Sequence, residues 1–223
     1  MVVPSAREKR QGMIRKKNGF VLLGDIIDSR KIKNRAAFEQ KMAVLIPEIG
    51  NQYKKYCLAP LKAQKGIDEA GAVLKDRKVL YKLITHINNE LYPQQMRFAI
   101  CEGVIDSGLN SNDVSQMDGP AFHTAAAVMS RLKDEKLLVL CETADTVFDK
   151  SLENQINAMA VIKNSWTSKQ MEIYTQYKSL LSQDLVAKKL NTTQQNISKQ
   201  MAAINGFSVL KIEENIQKLM EIF

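Results

Sequence analysis

Gln183-Asp-Leu-Val-Ala-Lys-Lys-Leu-Asn-Thr-Thr-Gln-Gln-Asn-Ile-Ser-Lys-Gln-Met201 reads as two short helices with a tight turn between them. Leu185, Val186 and Leu190 recur at helical spacing in the first half, and Ile197 and Met201 do so in the second. Asn191 stands where the chain must reverse, and Asn accepts the left-handed conformation better than any residue except Gly. Thr192 followed three positions later by Gln195 is a capping-box pattern that predicts the start of the second helix. Ala187 is small where the two helices would cross. This is the grammar of a helix-turn-helix, whose second helix enters the major groove of DNA.

The second helix turns Gln194, Gln195, Asn196, Ser198, Lys199 and Gln200 to solvent, a polar face that is almost uncharged. Gln and Asn can bond adenine edges in pairs, Ser and Thr reach bases or phosphates, and Lys neutralises a phosphate or reaches guanine. Thr193, Gln194, Gln195, Asn196, Ser198 and Lys199 are therefore the expected DNA contacts. The competing reading is a helical packing module with a solvated polar face, acting as a protein-interaction adaptor.

Working outward, 223 residues suit one large domain or two small ones. Apolar content of 45% and charged content of 25% are ordinary for a globular protein. The net charge of +8 leans toward an acidic partner, nucleic acid foremost. No apolar run reaches membrane-spanning length, so no membrane partner is expected. Residues 1–18 carry Arg7, Lys9, Arg10, Arg15, Lys16 and Lys17 without an apolar core behind them, which predicts a flexible basic arm rather than a secretory signal. Cys57, Cys101 and Cys141 are odd in number, far apart and set in apolar surroundings, which points to buried free thiols and a cytoplasmic location.

Gly19 to Gly24 is a buried-strand run ending at Asp25. A helix from about Arg35 to Tyr56 follows, with Phe38, Met42, Leu45, Ile46 and Ile49 on one face and Pro47 as an interruption. Leu58 to Leu74 reads as a hairpin around Lys65–Glu69, Arg77 to Leu91 as an amphipathic helix, and Met96 to Ile105 as a strand. After a polar loop, Pro120 opens a helix to about Lys133, and Lys136 to Cys141 forms a last strand. The order β-α-β-β-α-β, then α-β, fits a ferredoxin-like arrangement. A connecting helix occupies about Asp145–Ile162, and a C-terminal helix spans about Ile212–Phe223. The stripe Ile212, Ile216, Leu219, Met220 and Phe223 on the latter either packs on the helical pair or joins a second copy as a homodimer. The lone Trp166 sits where the two parts meet.

Chemistry in the N-terminal part would centre on carboxylates. Asp25 at a strand end and Asp68 in the hairpin converge if their strands are neighbours, and paired oxygens suit Mg²⁺, which clamps phosphates. Gly24-Asp-Ile-Ile-Asp-Ser-Arg30, Ile67-Asp-Glu-Ala-Gly71 and Asp118-Gly-Pro-Ala-Phe-His123 together resemble the SatD family of bacterial proteins, over about residues 19–205. The first two segments are also similar to the metal-binding strand and hairpin of the class III nucleotide cyclase fold. The SatD resemblance implies a regulator. The cyclase resemblance implies a palm in which Asp25 and Asp68 face one metal. From the residues themselves, Asp28 and Glu69 could assist those two, and Asp28, Arg30, Asp118 and His123 are the candidate ligand contacts. The sequence departs from the cyclase pattern at Ile67 and Ala70, where Gly and Phe are usual. By a gapless alignment it departs again at His123 and Ala127, where Asn and Arg would serve the phosphate.

The expected fold is thus α+β: a ferredoxin-like or cyclase-like domain over 19–145, a connecting helix over 146–165, and a small all-α helix-turn-helix domain over 166–223. The expected function is a DNA-binding transcription regulator whose N-terminal domain senses a nucleotide or other small ligand. A Mg²⁺-dependent nucleotide-processing enzyme is the alternative, with the protein-interaction adaptor as a third reading.

Overall fold

The computed structural model describes residues 16–64, 66 and 68–223, so most of the expected basic arm, and Lys65 and Ile67 of the hairpin tip, lie outside the described residues. Among those described, five strands and eight α-helices form a mixed α+β fold. The strands are β1 (Lys17–Ile26), β2 (Cys57–Ala63), β3 (Glu69–Leu74), β4 (Met96–Ile105) and β5 (Val139–Glu142), arranged β2-β3-β1-β4-β5. The first four are antiparallel, with β1 in the centre pairing β3 and β4; β5 lies parallel to β4 at one edge. This is the ferredoxin-like order that the β-α-β-β-α-β pattern predicts, extended by one strand.

Alternation along β1 sends Leu22 to one face of the sheet and Val21 to the other. The Leu22 face is covered by α1 (Arg35–Tyr53), α2 (Leu80–Leu91) and α4 (Thr146–Asn164), and the Val21 face by α3 (Pro120–Glu135) with part of the preceding loop. The apolar cluster on the Leu22 side runs on without a break into α5 (Ser168–Leu180), α6 (Gln183–Lys189), α7 (Gln194–Ala203) and α8 (Gly206–Ile222). Trp166, buried at the junction, packs edge-on against Tyr174 with ring centroids 4.9 Å apart.

Three local features have clear physical causes. Helix α1 continues through Pro47 because the carbonyl of Ala43, which loses its partner, lies on the exposed side. Strand β5 begins at Val139 rather than near Lys136, because Lys136 adopts the left-handed conformation that closes α3. The open edge of β5 is sealed by one row of α4 side chains. Asn157 accepts from Leu138 N at 2.8 Å, Glu153 from Cys141 N at 2.8 Å, and Asp149 from Thr143 N at 2.9 Å. An edge strand paired in this way cannot template aggregation.

A buried ionic cluster joins the sheet-covering helices to the C-terminal ones. Glu213 of α8, 3% exposed, accepts from Lys163 of α4 and Lys178 of α5 at 2.5 Å each, and from the Tyr174 hydroxyl at 2.8 Å. Lys163 also donates to Asn89 of α2 at 3.0 Å. Burial by itself pushes the Glu213 carboxyl up, but the two ammonium groups outweigh it and hold it down at about 2.

Candidate functional site

Helices α6 and α7 are joined by a turn that accounts for its own sequence. Asn191 is left-handed at φ 50°, Thr192 N donates to Ala187 O at 2.9 Å, and Asn191 N donates to Lys188 O at 3.3 Å. That double bond is a Schellman motif, which ends α6 and satisfies its last carbonyls. Because Thr192 is occupied in the turn, the N-cap of α7 is Thr193, whose side chain accepts from Asn196 N at 3.2 Å. The cap therefore lies one residue beyond the position that the Thr192–Gln195 spacing suggests. Ala187 is buried at the crossing, as its size requires.

Ile197 and Met201 are wholly buried, which fixes the rotation of α7 and decides what its other side offers. Thr193, Gln194, Gln195 and Lys199 are exposed, whereas Asn196 and Ser198 are half-buried. Two of the amides are already engaged: Asn196 Nδ2 donates to the Thr192 hydroxyl at 3.0 Å, and Gln194 pairs with Gln183 of α6. Gln200 accepts from Gln170 of α5 at 3.2 Å and so belongs to the support rather than to the free face. Lys188 and Lys189, exposed at the end of α6, add positive charge nearby. The α+β part does not roof this face, since these exposures hold in the whole chain.

At the other proposed site, Asp25 points to the α3 side of the sheet. Its carboxylate meets Lys133 Nζ at 2.9 Å and Arg97 Nε at 3.5 Å, and Glu69 stands opposite it in the β1–β3 register. A cleft of about 430 Å³ opens there, lined by Asp25, Gln64, Glu69, Ser115, Phe122 and Lys133 among others. Asp68 is adjacent through the backbone, its carbonyl accepting from Ile26 N at 2.8 Å. Its carboxylate is instead held by Arg35 at 3.3 Å. The two aspartates thus have neighbouring backbones and different cationic partners. No group of three or more His, Cys, Asp or Glu side chains with metal-holding geometry occurs among the described residues. If Mg²⁺ bound here, Asp25 and Glu69 would be the natural carboxylates, and Lys133 would have to leave Asp25.

The remaining candidate contacts separate into two places. Asp28, left-handed and paired with Lys31 at 3.0 Å, and the exposed Arg30 follow the end of β1 near Met96 of β4. The Asp118 carbonyl accepts from Asp106 N at 3.1 Å, just past the opposite end of β4. With β1 spanning about 30 Å at ~3.4 Å per residue, these pairs cannot share one small ligand. His123 is exposed, 3.6 Å from Asp118. Gly119, at φ 146°, is required here because a Cβ would sit 2.8 Å from Val104 O.

The SatD family profile matches residues 20–217, nearly the whole described chain. The chain belongs to the SatD family. No curated protein matches this SatD-family chain. Among solved structures, two of a bacterial light-regulated adenylyl cyclase resemble it at TM-score 0.40, with 11% and 12% identity, covering 57% of this chain and 43% of theirs. The chain therefore spans less than half the length of those proteins, and so distant a likeness carries no functional argument. No helix among the described residues is long and apolar enough to cross a membrane.

Proposed function

We propose that this SatD-family chain is a DNA-binding transcription regulator in which α7 is the recognition helix, presented by a helix-turn-helix unit over 166–223. The observation that carries the reading is the division of α7: Ile197 and Met201 are fully buried, while Thr193, Gln194, Gln195 and Lys199 are exposed. The face is exposed, polar and mounted on a capped turn, with Gln195 and Lys199 unengaged among the described residues and Gln194 held by Gln183, an arrangement suited to base-edge contact in a groove. Three buried free cysteines fit a reducing compartment such as the cytoplasm. In this reading the α+β part supports the reader and offers the Asp25 cleft to a small ligand, and a homodimer would present two recognition helices to two half-sites. Recovery of discrete genomic fragments by the immobilised protein tests the proposal. Fragments lost on added salt and shared between replicates are expected; recovery no different from bare resin would overturn it.

The cleft at Asp25 favours one further reading, a Mg²⁺-dependent nucleotide-binding site. Calorimetry with a nucleoside triphosphate and Mg²⁺ should then give saturable heat that Asp25→Ala abolishes. Absence of heat in the parent protein removes that reading and leaves DNA binding untouched.

A further inference from the structure

One end of the sheet gathers cations that the recognition helix does not use. Lys17 opens β1, Lys54 and Lys55 precede β2, Lys75 follows β3, and Lys78 and Lys82 lie on the turn and first turn of α2, all of them exposed. Strand pairing sets these segments together: Phe20 is opposite Leu74, Cys57 is opposite Leu74 on the other side, and Lys75 Nζ donates to Lys55 O at 3.4 Å. No ion pair among the described residues engages any of the six. The carboxylates nearby are turned to local bonds, with Asp76 accepting from Lys78 N at 2.9 Å and Glu221 from Gln217 Nε2 at 3.2 Å. Between the lysines lies a polar cleft of about 360 Å³, lined by Tyr56, Lys55, Lys78, Lys82, Asp76 and Glu221 among others.

Six lysines against the two cleft carboxylates, Asp76 and Glu221, leave a net positive surface, and like charges in excess repel one another and invite an anion. The group extends from the start of β1 across β3 and β2 to α2, wider than a single phosphate, so a chain of phosphates matches it better than one small ligand. Helix α8 ties this end to the recognition helix. Its first residue, Gly206, lies against Met201 of α7, and after its last turn the Phe223 carbonyl accepts from the Arg77 guanidinium at 2.8 Å. Seventeen residues of helix rise about 25 Å, or roughly seven base pairs of duplex.

We infer that this lysine surface is a second contact for DNA, taking the phosphate backbone beside the bases that α7 meets. The choice of duplex DNA as the polyanion rests on the DNA-binding reading above, whereas the surface itself rests on charge and topology. Each lysine supplies a point charge, which neutralises a phosphate without reading sequence.

Fluorescence anisotropy with a 30-base-pair duplex (about three helical turns) over ~50–200 mM salt tests this on the full chain. One variant carries Lys54→Gln, Lys55→Gln, Lys78→Gln and Lys82→Gln; the other carries Gln195→Ala and Lys199→Ala. Thermal melts confirm that both remain folded. The lysine variant should flatten the plot of log K against log salt by about 0.9 for each phosphate no longer neutralised, ~3 to 4 if all four lysines touch phosphate. The α7 variant should bind more weakly while flattening the plot by about one. An unchanged slope in the folded lysine variant, with the α7 variant impaired, overturns the second contact and leaves the recognition helix standing. A flattened slope in the lysine variant with the α7 variant unimpaired does the reverse. No binding by the parent protein overturns both.

Discussion

Replacing Glu213 should weaken the hold of α8 on α4 and α5. The carboxylate receives Lys163, Lys178 and Tyr174 inside the protein, and Lys163 is itself only 6% exposed. Glu213→Ala leaves the Lys163 ammonium buried without its partner, a change that costs about 3–5 kcal/mol. The same carboxylate gives a pH signature. Its ordinary value of 4.5 falls to about 2 on folding, so the native state binds fewer protons than the unfolded one between those values. The stabilisation, about 3 kcal/mol from the shift, is complete above pH 4.5 and lost as pH falls toward 2. His86 adds an earlier loss: burial first, then Lys178 and Lys82, draws its imidazole below 6.5, so stability begins to fall as pH drops through that value. Urea unfolding of the parent and Glu213→Gln from pH 7 to pH 3 isolates the Glu213 contribution as a difference. The two proteins should differ most at pH 7 and converge in acid. A constant difference across that range, or a loss below about 1 kcal/mol for Glu213→Ala, would refute the reasoning. The double change Lys163→Met with Glu213→Leu should recover part of the loss, because an apolar pair removes the buried charge.

Two further outcomes follow from packing. A Cβ on Gly50 would stand 2.4 Å from Leu61 O, so α1 touches the backbone of β2 there. Gly50→Ala should cost about 1–3 kcal/mol through overpacking, against at most ~1 gained in helix propensity; an unchanged or raised Tm would show that α1 moves freely on β2. Burial pushes the Cys57 thiol up to about 11 and the Cys101 thiol up to about 12, and raises Cys141 as well. Alkylation by iodoacetamide at pH 8 should therefore be slow in the native protein and fast in urea; rapid labelling of any of the three before unfolding would contradict their burial.

Much of the architecture could be read from apolar spacing. Met96–Ile105 has its predicted bounds because both ends are marked, by Pro93 before it and by the polar loop after it. The β2–β3 hairpin and the α6–α7 pair also emerge where the spacing places them. The misplaced cap at Thr192 has a simple cause, since spacing cannot show that a Schellman turn has already used that residue. Helix α8 begins at Gly206 rather than near Ile212, because the left-handed Asn205 marks a start that periodicity does not. Its inward stripe is Val209, Glu213, Ile216 and Met220, while Ile212 is exposed. A charged residue in an apolar stripe was the available signal for the buried cluster. Asp149 and Glu153 on α4 follow the same rule, as acceptors for β5 rather than solvated charges. For Asp25 and Asp68, the neighbouring backbones were legible in the strand pattern but the competing cations were not, because Lys133 and Arg35 arrive from distant helices.

The most direct measurement is the affinity of the parent protein and Gln195→Ala for a duplex recovered from the genomic pull-down, at one fixed salt concentration. If the outward side of α7 meets base edges, Gln195→Ala should weaken that duplex by about 1–3 kcal/mol, roughly 5- to 150-fold, and lessen its preference over a scrambled duplex. Equal affinity for both duplexes, unaltered by the substitution in a folded protein, would contradict the account.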